Sequence, residues 1–208
     1  MTIAVIDYGA GNLRSVARAL EAAGAAQVAI TADPAAILAA NRLVLPGQGA
    51  FDQCMGGLRS QPGLVEAMTT SAMTQRKPFL GICVGLQLLA ARGLEHGETQ
   101  GLGWIGGDCA PLPLTPGARI PHMGWNEVRV TKSHPVLAPL APARHLYFAH
   151  SYALIPADPT LVLADTTHGV AFPVAAGKGN IVGVQFHPEK SQAAGLALLS
   201  AFLAWNPS

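Results

Sequence analysis

The chain opens with an unbroken apolar run, Ile3 to Ile6, as a strand buried on both faces requires, closed by the turn Tyr8-Gly9-Ala10-Gly11-Asn12. Leu13, Val16, Ala17, Leu20 and Ala23 then recur at helical spacing, and Gly24 stops that period. Val28 to Ile30 and Leu43 to Leu45 predict two more strands, the second ending at Pro46-Gly47-Gln48-Gly49. Leu64 to Met73 predicts a helix. Phe79 to Ile82 predicts a strand that runs directly into a helix over Val84 to Arg92, capped by Gly93. Strands alternating with helices need crossovers, so this half predicts a largely parallel sheet with helices on both faces.

From Gly101 to Val174 the pattern changes to short apolar stretches cut by Pro-rich turns, which predicts antiparallel strands added to the same sheet. Ile181 to Phe186 predicts another buried strand, and Ala193 to Trp205 an apolar closing helix. No repeat, low-complexity tract or linker interrupts the chain, so residues 1–208 read as one α/β domain.

Composition narrows the function classes. Half the residues are apolar and only 12% are charged, which leaves apolar surface for a partner to cover. The 13 basic residues are scattered among 12 acidic ones, with no Lys/Arg run to follow a phosphate backbone, so nucleic acid is not expected as a partner. Cys54, Cys83 and Cys109 are odd in number and form no CxxC pair, which argues against a disulfide framework and a zinc site. The start MTIAVIDYGAGN carries an acid where a signal peptide needs an apolar run, and no stretch is long enough to span a bilayer. A cytoplasmic enzyme without metal or membrane is the expectation.

The chemistry centres on Gly81-Ile-Cys83-Val-Gly85. A strand ends, a cysteine sits between two glycines, and a helix begins at once: the cysteine counterpart of a nucleophile elbow. Such a turn places the sulfur at a helix start, where the Val84 N–H points at any oxyanion formed beside it. A small buried cysteine closing a strand would show the same local pattern. The second feature, Phe186-His-Pro-Glu189, separates the readings. Residues two apart in an extended segment share a side, so His187 and Glu189 project together as a base and its orienting carboxylate. Both motifs fall at strand ends on one sheet edge. The other six histidines, His96, His122, His134, His145, His150 and His168, lack a carboxylate at this spacing and read as structural or supporting groups.

These residues resemble the class I (triad) glutamine amidotransferases. Within that class, Asp7-Tyr-Gly-Ala-Gly-Asn-Leu-Arg-Ser15, Pro121-His-Met-Gly-Trp-Asn126 and Tyr147-Phe-Ala-His-Ser-Tyr152 are similar to the glutaminase subunits of bacterial two-subunit imidazole glycerol phosphate synthases. The resemblance implies the class I glutaminase fold and hydrolysis of glutamine. It also implies delivery of ammonia to a (β/α)₈-barrel cyclase subunit, as a heterodimer, in histidine biosynthesis. It assigns Gln87 and Glu95 to the amino-acid end of glutamine, with Ser151 and Tyr152 lining the same pocket through their backbone. It places Gly49 beside Val84 in the oxyanion hole, and Asn12, Tyr147 and Lys190 at the partner interface and ammonia passage. Without it, Gln87 reads as a solvent-facing helix residue and Trp125 as core. Gln48 departs from the family, which carries a β-branched or other apolar residue there.

The implied reaction is acyl transfer through a Cys83 thioester, with His187 as general base and acid and no cofactor. Another amidotransferase of the class, such as the glutaminase of pyridoxal phosphate synthase, is the nearest rival, and the Pro121–Asn126 and Tyr147–Tyr152 segments argue against it. A cysteine peptidase or γ-glutamyl hydrolase would need no partner, and a catalytically dead regulatory protein would not retain Cys83, His187 and Glu189.

Overall fold

A computed structural model describes residues 1–113 and 119–207. The first half runs β1 (Thr2–Ile6), α1 (Leu13–Ala22), β2 (Gln27–Thr31), α2 (Pro34–Ala39), β3 (Arg42–Gly47), α3 (Phe51–Ser60), α4 (Leu64–Thr69), β4 (Phe79–Cys83) and α5 (Val84–Gln87). The second half continues β5 (Arg92–Gly93), β6 (Thr99–Gln100), β7 (Gly107–Pro111), β8 (His122–Val130), β9 (Ala143–His150), β10 (Tyr152–Pro156), β11 (Val162–His168), β12 (Val170–Lys178), β13 (Ile181–Val184) and α6 (Gln192–Ala204).

Nine strands form the main sheet in the order β2-β1-β3-β4-β13-β12-β11-β8-β9. The first five are parallel and the last four are joined antiparallel, as the change of pattern in the sequence predicts. The central strands β3, β4 and β13 are buried at every position, because helices cover both faces. Not every added strand joins this sheet, however. β10, β7, β5 and β6 make a separate four-stranded sheet.

The helix expected over Val84 to Arg92 stops at Gln87. Its further carbonyls are taken by a distant segment: the N–H of Leu102 bonds to Leu88, that of Ile105 to Leu89, that of Gly103 to Ala90 and that of Gly101 to Ala91. Gly101 is required for this approach, since a Cβ there would lie 2.2 Å from the Ala90 oxygen. The helical period from Leu64 also breaks, into a π turn at Thr70–Thr74. Two helices are additional to the sequence expectation. α2 starts at an Asp33 side chain that accepts from the Ala35 N–H, with Pro34 at the first helical position, and α3 buries Phe51, Cys54, Met55 and Leu58 at helical spacing. Trp125 is not core but 49% exposed, because strand alternation on β8 sends Met123, Trp125 and Glu127 to the open face. Among the described residues no helix is long and apolar enough to cross a membrane.

α6 packs on α1 and braces the turn Pro188–Lys190 that follows β13. At the contact, a Cβ on Gly195 would lie 1.9 Å from the Pro188 oxygen, so α6 approaches this turn as closely as backbones allow. Gly195→Ala is expected to force the turn away, destabilising the chain by about 1–3 kcal/mol and lowering glutaminase activity with it. Paired thermal denaturation and glutamate-release assays check this, and an unchanged Tm would contradict the packing.

Candidate active site

Gly47, Cys83 and Val184 end three adjacent parallel strands, in a register that sets Gly47 beside Cys83 and Val184 beside Ile82. This is the sheet edge where parallel α/β proteins place their sites. Cys83 adopts φ +56° and ψ −114°, a region that costs a non-glycine residue about 1–3 kcal/mol. Its flanking glycines permit the turn: a Cβ on Gly81 would lie 2.7 Å from the Gly85 oxygen, and one on Gly85 1.8 Å from the Leu45 oxygen. The Val84 N–H is the first of α5, so it has no acceptor within the helix and is available at the sulfur.

His187 follows β13 and is held from three sides. Its N–H donates to the Tyr147 carbonyl at 2.9 Å, and its own carbonyl accepts from the Ser191 hydroxyl at 2.6 Å. Its Nδ1 meets Glu189 Oε1 at 2.8 Å with both side chains buried. Donation from Nδ1 to the carboxylate leaves Nε2 for the Cys83 sulfur. Burial alone would lower the imidazole pKa, but the sulfur and the Glu189 carboxylate together raise it to about 9. The imidazole is therefore protonated at neutral pH and poised to donate to a leaving amine.

A cavity of about 220 Å³ opens over the sulfur. Of the residues singled out in the sequence, Cys83, Val84, Gly49, Gln87, Glu95, Ser151, Tyr152, His187 and Lys190 line it, as does Gln48. Gln87 is not solvent-facing: it is buried on α5 and donates from Nε2 to the Tyr152 carbonyl at 2.8 Å and to Gln185 Oε1 at 3.1 Å. Glu95 Oε2 accepts from the Phe51 N–H at 2.8 Å, which ties it to the start of α3. Gly49 takes φ +105°, which glycine adopts without strain, and the adjacent Gln48 carbonyl accepts from the Cys54 thiol at 3.5 Å.

Asn12, Tyr147 and Glu189 lie outside the cavity lining. Asn12 is exposed at the start of α1, and Glu189 stands behind the imidazole. Tyr147 sits between the rings of Trp125 and His187, at 6.2 and 6.5 Å, with the Lys190 ammonium 5.6 Å over its face.

Two further residues join the site without having been expected from the sequence. Gln185 is fully buried and donates to the Cys83 sulfur at 3.7 Å; its signal was an amide inside an apolar strand. Ser191 accepts from the Tyr147 N–H at 3.0 Å while donating to His187, and had no sequence signal. Among the described residues, no cluster of three or more His, Cys, Asp or Glu side chains could hold a metal ion.

A strained cysteine, a carboxylate-held imidazole and an open N–H at the sulfur are the parts with which a thiol hydrolase works through an acyl-enzyme. The glutamine amidotransferase class-I family model matches residues 4–204. The subunit HisH of imidazole glycerol phosphate synthase from Zymomonas mobilis is 53% identical over 99% of this chain and 97% of its own. The same subunit from Rhodospirillum rubrum is 50% identical over the full length of both. Among solved structures, a glutamine amidotransferase superposes with a TM-score of 0.75 at 19% identity, covering 97% of each chain. PurLQS from Thermotoga maritima gives 0.69 at 19%, covering 98% of this chain and 97% of the matched one. These two likenesses show the fold. The chain belongs to the class I glutamine amidotransferases, on the branch of the HisH subunits of imidazole glycerol phosphate synthase.

The raised His187 pKa has a consequence for stability. The folded imidazole keeps its proton from its ordinary value of 6.5 up to about 9, whereas the unfolded one releases it near 6.5. Stabilisation from this group is complete below pH 6.5 and is lost as pH rises to about 9. The Tm of the wild type is expected to fall across that window more than that of His187→Gln, and parallel pH-dependent melts measure the difference. An electrophilic glutamine analogue is expected to label Cys83 and spare Cys54 and Cys109, which lie outside the cavity lining and whose thiols burial pushes up. Peptide mass spectrometry reads the site, and a label on either of the other two would overturn the nucleophile.

Proposed function

We propose that this chain is the glutaminase subunit of imidazole glycerol phosphate synthase, one catalytic domain over its whole length, acting in the cytoplasm. The Cys83 thiolate attacks the side-chain amide of glutamine, and protonated His187 gives its proton to the departing ammonia. Water, activated by the now neutral imidazole, cleaves the thioester to glutamate and returns the proton. Glu189 keeps the ring oriented and offsets its charge. Glu95 and Gln87, with the backbone of Ser151 and Tyr152, receive the amino-acid end of glutamine. The Val84 N–H and the Gly49 segment receive the oxyanion.

The observation that carries this reading is that the sulfur, the imidazole and the Glu95 carboxylate line one cavity, with Glu189 behind the imidazole. Ammonia released into neutral water would take up a proton and lose its nucleophilicity, so it needs a covered route to an acceptor. The face beside the sulfur suits that need: Met123 is 64% exposed, Trp125 stands next to Tyr147, and Lys190 covers that ring. A (β/α)₈-barrel cyclase subunit docked over Asn12, Tyr147 and Lys190, as a heterodimer, would seal it.

The same geometry supports partner control. Catalysis needs two preorganised donors at the oxyanion, and the elbow supplies one. The second depends on the Pro46–Gly49 segment, whose glycines let a peptide face either way at little cost. With that donor turned aside, hydrolysis is slower by roughly 10²–10³-fold. Glutamate release is expected to rise stepwise from the free chain, to the complex, to the complex with acceptor nucleotide. Equal turnover in all three would rule the switch out. Cys83→Ala is expected to abolish glutamine-dependent synthesis while leaving synthesis from added ammonium salt intact, and loss of both would contradict a separate acceptor site. His187→Ala is expected to cost more than Glu189→Ala, by roughly tenfold or more, measured as kcat/KM for glutamine.

A further inference from the structure

Outside the triad, a row of hydrogen-bonded polar side chains is built on the two strands that end the main sheet. His122 and His150 are cross-strand partners on β8 and β9, both buried, with His122 Nδ1 2.9 Å from His150 Nε2. Strand parity puts Asn126 on the same face as His122, and Asn126 Nδ2 lies 3.1 Å from His122 Nε2. At the other end, His150 Nδ1 lies 2.8 Å from the Tyr152 carbonyl. Phe148 and His168 stack on His122, with centroids at 4.5 and 4.4 Å, so the central ring is enclosed.

We propose that Asn126, His122 and His150 form a one-way hydrogen-bond relay whose polarity is set at both ends, and that they are positioning residues holding the Tyr152 carbonyl, and through it the cysteine site, in place.

The polarity follows from donors and acceptors that have no choice. The Asn126 amide is oriented because its Oδ1 accepts from the Glu127 N–H at 2.8 Å while Nδ2 donates to the Thr167 carbonyl at 2.9 Å. A flipped amide would set N–H against N–H and oxygen against oxygen. The second Nδ2 proton therefore goes to His122, whose Nε2 must accept. A neutral His122 then carries its proton on Nδ1 and donates to His150 Nε2, and His150 carries its proton on Nδ1 and donates to Tyr152. The Tyr152 carbonyl can only accept, so the far end demands the same tautomers. A second proton on His122 would face the Asn126 amine, and one on His150 would face the His122 N–H. Burial agrees, pushing His122 down to about 4, with His168 adding like charge, and His150 down to about 3 against the raising effect of its Tyr152 hydrogen bond, with His122, His187 and His168 adding like charge.

Beyond Tyr152 the chain of bonds continues. The same carbonyl accepts from Gln87 Nε2, whose other proton goes to Gln185 Oε1. That contact orients the Gln185 amide so that its nitrogen faces the Cys83 sulfur. Bonds of fixed direction thus run from β8, whose opposite face exposes Met123 and Trp125, to the sulfur. Neither histidine transfers a proton; each holds a direction. The kinetic role rests on the reading of Cys83 as the glutamine nucleophile, whereas the polarity does not.

Two measurements test the relay separately. Long-range ¹⁵N–¹H spectra of the imidazoles in the full chain are expected to show His122 and His150 neutral, with the proton on Nδ1, at pH 6 and at pH 8 alike. An Nε2-protonated tautomer of either ring, or titration of either between those values, would overturn it even if the chain hydrolysed no glutamine. In the complex with the cyclase subunit, His150→Leu is expected to lower kcat/KM for glutamine about tenfold, near the net worth of one lost hydrogen bond. His150→Asn places an amide N–H where Nδ1–H stood and is expected to recover most of that loss. Equal losses in both variants, or none in His150→Leu, would reject the positioning role.

Discussion

The site depends on one close approach. At the junction of β4 and α5 the backbone turns so tightly that Gly81 and Gly85 have no room for a side chain, and Cys83 is left at φ +56°. Neighbouring strands hold this turn in place: β3 and β13 flank β4 in register, and the Leu45 oxygen presses on Gly85. The strain costs about 1–3 kcal/mol, and the burial of β3, β4 and β13 easily offsets it. In return the sulfur and the Val84 N–H stand together without further rearrangement. Preorganisation of this kind is the source of most electrostatic catalysis.

Around that turn the protein uses one residue type in two opposite ways. His187 is buried, yet its carboxylate and sulfur partners carry it to about 9 and keep it charged. His122 and His150 are buried without a carboxylate and stay neutral, at about 4 and about 3. In the proposed reaction the first exchanges a proton, while the other two serve as fixed donors and acceptors. With His187 and His150 lining the same cavity, chemistry and positioning are divided between neighbours.

The connection between β6 and β7 serves the same end. By taking the carbonyls that would have prolonged α5, the 101–105 segment stops the elbow helix at Gln87. That leaves Gln87 buried between Tyr152 and Gln185 rather than on an exposed helix face.

What the sequence determined by itself was local or periodic. The apolar runs marked the parallel strands, the flanking glycines marked the elbow, and the two-residue spacing of His187 and Glu189 let their side chains meet, across the turn Pro188–Lys190 rather than along a strand. Each of these is decided by backbone geometry within a few residues. The tertiary structure decided whatever needed a partner far along the chain. It ended α5 with bonds from Leu102 and Ile105, buried Gln87, brought Gln185 to the sulfur and Ser191 to Tyr147, and left the face of β8 that carries Trp125 open. Hydrogen bonds between distant segments leave no period to read, because the direction of a donor is fixed only when its acceptor arrives.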